Sequence, residues 1–186
     1  YINNIKGLRD LPQALKDVLE RIPASAHPMD VLRTGCSMLG NLEPESSFDQ
    51  QDEIIDRLLA TMPSIICYWY CYSHEDKRID TALDDDSIGA HFLHMLLGKT
   101  PNDLFTEVMN VSLILYAEHE FNASTFTARV SASTLSDMYS CITGAIGSLR
   151  GPLHGGANEA AMEMIEKWQS VEEAEEGILG LSLIHI

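Results

Sequence analysis

At 186 residues and 45% hydrophobic content, the chain can bury one sizeable core. Its 12 basic residues against 28 acidic ones give a net charge of −16, which makes nucleic acid and anionic membrane surfaces poor partners. No apolar run reaches the length of a membrane span, residues 177–186 being too short and interrupted by glycine, so a soluble protein is expected.

Leu11, Leu15, Val18, Leu19 and Ile22 recur at helical spacing, with Lys16, Asp17 and Glu20 opposite them, and Pro23 closes the helix. His27-Pro28 opens the next one, because proline suits a first helical position. Val31, Leu32, Cys36 and Leu39 form its buried stripe, and Gly40-Asn41 ends it. Residues 43–48 read as a polar loop. A longer helix follows, carrying Ile54, Ile55, Leu58, Leu59, Met62, Ile65, Ile66 and Trp69. Pro63 predicts a kink or a break in it. The aromatic run Tyr68-Trp69-Tyr70, with Tyr72, has no interleaved basic residues, so it reads as helix packing and not as a stacking platform.

Residues 74–86 read as a charged, solvated loop. Asp84-Asp85-Asp86 precede a helix that starts near Ser87, where the dipole and an N-cap favour acidic groups, so no metal is assigned to them. His91 and His94 lie three apart on that helix, but no third ligand has suitable local spacing. They are read as buried or partly buried histidines. Residues 98–102 form a turn with Asn102 as N-cap. Phe105, Val108, Met109, Ser112, Leu113 and Tyr116 then line a helix that delivers His119 near its C-terminal end. Residues 123–149 are rich in Ala, Ser, Thr and Gly, with a restart at Ser136-Asp137, and small residues permit close helix contacts. No β-type alternation or hairpin signal occurs, and the fold class is all-α. Cys36, Cys67, Cys71 and Cys141 form no C-x-x-C pair and read as reduced, partly buried thiols of a cytoplasmic-type compartment.

The stretch Leu149-Arg150-Gly151-Pro152-Leu153-His154-Gly155-Gly156-Ala157-Asn158-Glu159 ends one helix and starts another. Gly151 suits a left-handed position past a helix end, and Pro152 cannot continue that helix. Gly155 and Gly156 permit a tight backbone path. A new helix is expected over residues 157–168. His154 then sits at a helix-to-helix corner, near the positive end of the following dipole, where a neutral ring able to donate a hydrogen bond is favoured. Such histidines polarise carbonyls and stabilise enolates.

This stretch resembles the G-P-x-H-G-x-A-N signature of the citrate synthase family. Ala117-Glu118-His119-Glu120-Phe121-Asn122-Ala123-Ser124-Thr125-Phe126 is similar to that family's oxaloacetate-site segment, in the right order and spacing. Residues 27–33, 84–89 and 91–94 lean toward its 2-methylcitrate synthase branch. The resemblance covers residues 1 to about 176. It implies a large helical domain over residues 1–155 and the start of a small domain over 156–180, with 181–186 as an atypical tail. Because the chain opens on Tyr1 and not on methionine, a missing N-terminus is expected, which leaves a mitochondrial leader open beside a cytoplasmic location.

The resemblance implies an enzyme that condenses propionyl-CoA with oxaloacetate and water to give 2-methylcitrate and CoA. Acyl-CoA is a substrate, and no cofactor or metal is expected. His154 takes the role of stabilising the enol, and His119 and Asn122 bind oxaloacetate. Ser124 has two readings: a residue that holds His154, fixing its tautomer, or a plain helix cap. A homodimer is implied, through packed helices that residues 123–147 suit. The family's second catalytic histidine, its aspartate base and its carboxylate-binding arginines find no match after residue 159. The chain alone is therefore expected to be inactive, with its anion-binding arginines elsewhere. Two alternatives stand beside this reading: a citrate synthase using acetyl-CoA, which differs by one methylene, and a non-catalytic helical interaction module.

Overall fold

The computed structural model describes residues 1–118 and 121–184, without the side chains of residues 158 and 181–184. In chain order the helices are α1 (Ile2–Gly7), α2 (Gln13–Leu19), α3 (Pro28–Leu42), α4 (Gln51–Glu75) and α5 (Ile88–Leu97). Then come α6 (Asp103–Tyr116), α7 (Ala123–Ala132), α8 (Met138–Leu149), α9 (Gly156–Ile165) and α10 (Val171–Ile184). The described residues contain no strand, and the fold is all-α, as expected. They form two compact units, Tyr1–Ser148 and Leu149–Ile186.

The first unit is built around α4. Leu11, Leu15, Leu19, Val31, Leu32, Cys36 and Leu39 from the preceding segments pack with Ile54, Leu58, Ile65, Tyr68 and Trp69 of α4 in one buried cluster. The aromatic run behaves as packing. Tyr68 and Trp69 are buried, with the Tyr68 hydroxyl on Glu20 at 2.8 Å and the Trp69 ring N–H on the Ile22 carbonyl at 3.2 Å. Tyr70, outside the core, stacks on His74.

Local chemistry sets the helix starts. His27 caps α3 by accepting from the Met29 N–H at 3.1 Å, with Pro28 in the first turn. Ser87 caps α5, and Asn102 caps α6 through the Phe105 N–H at 2.8 Å. Gly98 ends α5 at φ +66°, a left-handed conformation that suits glycine.

Several expectations need correction. Pro63 does not break α4, which runs from Gln51 to Glu75. A proline removes one helix N–H, but Thr61, Ser64, Ile65 and Cys67 on either side of it are locked in the core. Helix α3 continues to Leu42, past Gly40-Asn41. Helix α1 has no counterpart in the sequence reading, since six residues are too few for a periodic signal, and only Ile5 of it is buried. The new helix of the second unit spans Gly156–Ile165 and stops short of Trp168.

The charged segment after α4 is largely exposed, as expected, but it is anchored at several points. Thr81 is fully buried, and Lys6 pairs with Asp84 at 2.9 Å and Asp86 at 2.7 Å. Arg9, 1% exposed, donates to the carbonyls of Leu83 at 2.8 Å and Ser87 at 3.3 Å.

Helix α6 has no buried residue, and Phe105, Val108, Leu113 and Tyr116 are all exposed. It meets α5 at Gly89, where a methyl group would run into the Asn110 side chain and Met109 Cγ. The small residues of α7 and α8 do meet: a methyl group on Gly144 would rest 3.6 Å from Thr127 and Ser131. Tyr139 of α8 enters the core against Gly40. In the second unit Trp168 lies against Gly177 of α10, leaving no room for a side chain there.

Trp69 fills the core between α4 and the loop after α2, so Trp69→Ala is expected to cost about 3–5 kcal/mol. A urea titration of both proteins checks this through the shift in unfolding midpoint.

Candidate active site

Asn122 caps α7. Its Oδ1 accepts from the backbone N–H groups of Ser124 at 2.9 Å and Thr125 at 3.1 Å, and from the Ser124 hydroxyl. The cap reading therefore falls on Asn122 itself, with Ser124 bound to it. With the carbonyl end of Asn122 so committed, only its amide N–H groups could serve an anionic substrate. Phe121, just before the cap, has φ +58° and an exposed side chain. Outside glycine such a conformation is uncommon and marks a constrained turn. His119 lies outside the described residues.

His154 belongs to the second unit, in a compact turn. Its N–H donates to the Gly151 carbonyl at 3.0 Å, and its own carbonyl accepts from the Ala157 N–H at 3.3 Å. The Gly155 N–H donates to the Leu149 carbonyl at 2.9 Å, satisfying the end of α8. A methyl group at Gly155 would collide with that same carbonyl oxygen. Glycine is thus required here by close approach and not by a left-handed backbone, Gly155 having φ −66°. Gly151 is not left-handed either, Gly98 alone having positive φ among the described glycines. Since Gly155 is the N-cap of α9, half-buried His154 stands one residue before that cap. This is the corner geometry expected from the sequence.

A second polar cluster escaped the sequence reading. His91 is 1% exposed, as expected of a buried histidine. Asp85 lies 3.0 Å from His94 Nδ1 and 3.7 Å from His91 Nδ1. His91 Nε2 faces the Ser64 hydroxyl at 3.3 Å, and that hydroxyl donates to the Arg9 carbonyl at 3.0 Å. Burial, reinforced by nearby Arg9, pushes the His91 imidazole down to about 4. The signal was present as an acid six and nine residues before two histidines, but only the fold turns Asp85 back onto α5.

All four cysteines are free and buried, and burial pushes the Cys67 thiol up to about 12. Among the described residues, no group of three or more His, Cys, Asp or Glu side chains is arranged to hold a metal ion. No helix among them is long and apolar enough to cross a membrane.

The described residues thus give an all-helical fold with a capped small-residue helix in one unit and a glycine–histidine corner in the other. Comparison with known proteins identifies the family. The citrate synthase C-terminal domain profile matches residues 1–181. The chain is 72% identical over 180 residues to a 2-methylcitrate synthase of Shewanella oneidensis, covering 97% of this chain and 48% of that protein. It is 46% identical to a citrate synthase of Heyndrickxia coagulans, covering 90% and 46% of the two chains. Among solved structures, a Thermoplasma acidophilum citrate synthase in ternary complex with carboxymethyl coenzyme A and oxaloacetate matches with a TM-score of 0.84. The identity there is 26%, over 95% of this chain and 47% of the other. The chain belongs to the citrate synthase family. It spans about half the length of the curated relatives it matches.

Gly155→Ala should force the Leu149 carbonyl away and loosen the corner, at a cost of about 1–3 kcal/mol. Hydrogen exchange is expected to show lost protection in α9, with α4 unchanged.

Proposed function

We propose that the protein carrying this chain is a 2-methylcitrate synthase, condensing propionyl-CoA with oxaloacetate and water to give 2-methylcitrate and CoA. The observation that carries this reading is the 72% identity to the Shewanella oneidensis enzyme, which spans both the Asn122 segment and the His154 corner. The large helical domain would run through residue 155 and the small one begin at 156.

The reaction starts with removal of a proton from the carbon next to the thioester carbonyl, leaving an enol or enolate. The family's base is an aspartate, to which no residue of this chain is assigned. His154 donates a hydrogen bond to the thioester oxygen as negative charge develops there, an interaction stronger in the transition state than in the ground state. The enol carbon then bonds to the keto carbon of oxaloacetate. Water cleaves the thioester, releasing CoA. His119 and the amide of Asn122 orient oxaloacetate, so that the two carbons meet at the right angle and distance. Ser124, in this reading, helps hold the enol-stabilising His154 and fixes its tautomer. No cofactor is needed, since the acyl-CoA is itself a substrate.

A citrate synthase using acetyl-CoA is the second reading. It is supported by the relative from Heyndrickxia coagulans, 46% identical, against 41% for a 2-methylcitrate synthase of Mycobacterium tuberculosis. Identity at that level does not sort the two activities. Thiol release from propionyl-CoA and from acetyl-CoA, each with oxaloacetate, decides between them. Higher kcat/KM for propionyl-CoA is expected, and a preference for acetyl-CoA would overturn the first reading. Absence of both activities would leave the helical interaction module. The same proposal places the protein in propionate catabolism in the cytoplasm.

Three further outcomes are expected. His154→Ala should lower turnover by about two or more orders of magnitude while oxaloacetate affinity changes little. Asn122→Asp keeps the cap, since both residues cap well, but loses the amide donors and adds a repelling charge. Calorimetry should then show oxaloacetate binding weakened about tenfold or more, with unfolding little changed. The exposed apolar residues of α6 support a homodimer, and sedimentation showing a stable monomer at micromolar concentration would count against it.

A further inference from the structure

We propose that Asp85, bonded to His94 and facing His91 across a gap, is an acid-released clasp that fastens residues 83–87 and the N-terminal segment onto α5. The geometry is a short stretch gripped from both sides. On one side Lys6 holds Asp84 and Asp86, and Arg9 holds the carbonyls of Leu83 and Ser87. On the other side Asp85 alone reaches the histidines of α5. The clasp continues into α4, because His91 meets Ser64, and Ser64 meets the Arg9 carbonyl.

His91 is the weak point of this arrangement. Its Nδ1 is buried and has no hydrogen-bond partner among the described residues. The nearest acceptor is Asp85 at 3.7 Å, beyond hydrogen-bonding distance, while His94 takes both oxygens of that carboxylate at 3.0 and 3.1 Å. The charged groups acting on the ring are Arg9 from the N-terminal segment, Asp85 from the loop and His94 from its own helix. Behind Asp85 stand Asp84 and Asp86, already paired with Lys6. Helix α4 presents the Ser64 hydroxyl and the Cys67 thiol to α5. Helix α6 presents neutral Met109 and Asn110 at Gly89.

A proton arriving on His91 would place a second cation beside buried Arg9, with one carboxylate already engaged. The ring lies well below its ordinary value when buried, at about 4 against 6.5, and regains that value once the segment opens. The open form therefore binds more protons between pH 6.5 and 4, and opening becomes easier as pH falls through that window. Release is driven by His91, the fully buried ring whose Nδ1 has no hydrogen-bond partner among the described residues.

Hydrogen exchange of the protein carrying this chain, corrected for intrinsic rates, tests the clasp. Between pH 7 and pH 5, residues 83–97 should lose about twenty- to thirtyfold in protection, the ratio expected from the two His91 values, while α4 holds. His91→Gln should abolish that acid-dependent loss. Asp85→Asn should already lower protection of 83–97 at pH 7. Loss of 83–97 and α4 together in the natural protein, or an acid-dependent loss that survives His91→Gln, would overturn the proposal. The comparison of the natural protein at two pH values needs no variant, so a poorly folding Asp85→Asn would not leave the question open.

Discussion

Helix α4 is surrounded by other helices, and every polar group it carries inward must find a partner there. Unpaired, each would cost about 1–3 kcal/mol. Most of the partners come from the chain before it. The Thr61 hydroxyl donates to the Arg57 carbonyl at 2.7 Å, and Ser64 to the Arg9 carbonyl. Tyr68 donates to Glu20, and the Trp69 ring N–H to the Ile22 carbonyl. Arg57, nearer the start of the helix, ties the carbonyls of Leu8 and Asp10 to the carboxylate of Glu43. These bonds set where the loops between α1, α2 and α3 run, because the carbonyls of Leu8, Arg9, Asp10 and Ile22 meet donors on α4. Apolar burial supplies the driving force, and the hydrogen bonds supply the register.

Such pairings explain what the sequence displayed and what it concealed. The apolar stripes of α2, α3 and α4 were legible because burial imposes a period, and the helix starts at His27-Pro28 and near Ser87 and the cap at Asn102 because helix initiation is local chemistry. The corner at His154 was legible for the same reason, as glycine and proline act within a few residues. Two details of the corner were not. Gly151 avoids the left-handed region, and Gly155 is needed for space beside the Leu149 carbonyl. Both depend on how the turn closes, which composition does not encode. The fate of 74–86 was likewise hidden, because the partners of Asp84, Asp85 and Asp86 are Lys6, some 80 residues earlier, and His94. In α6 the period was read correctly, yet its apolar residues lie outside the described core. Periodicity reveals an apolar face, not what covers it.

The charge balance follows the same division. Lys6, Lys16, Arg33, Arg57 and Arg78 all pair with carboxylates of the first unit, and Arg9 is buried on carbonyls. Arg78, bonded to Glu20 through two nitrogens, holds that carboxylate down to about 2. These cations are engaged in holding loops to helices and are poorly placed to serve an anionic substrate as well. The donors proposed for the site within this chain are the side chains of Asn122, His119 and His154. Donors held in place beforehand suit charge that appears during a reaction.

The choice of acyl chain is a different kind of problem from the choice of chemistry. One methylene in a pocket is worth about 1–3 kcal/mol, which is comparable to one altered packing contact. The residues that stabilise an enol and hold a keto acid must satisfy directional hydrogen bonds, and few side chains can replace them. The residues that admit or refuse a methyl group need only leave or fill a volume. That asymmetry explains why citrate and 2-methylcitrate synthases stand interleaved among the relatives, at 46% and 41% identity. Shared donors fix the family, while small volume changes at a few positions separate its substrates. The proposed preference for propionyl-CoA rests on the 72% identity to a 2-methylcitrate synthase, a level at which fewer such volume changes have accumulated than at 46% or 41%.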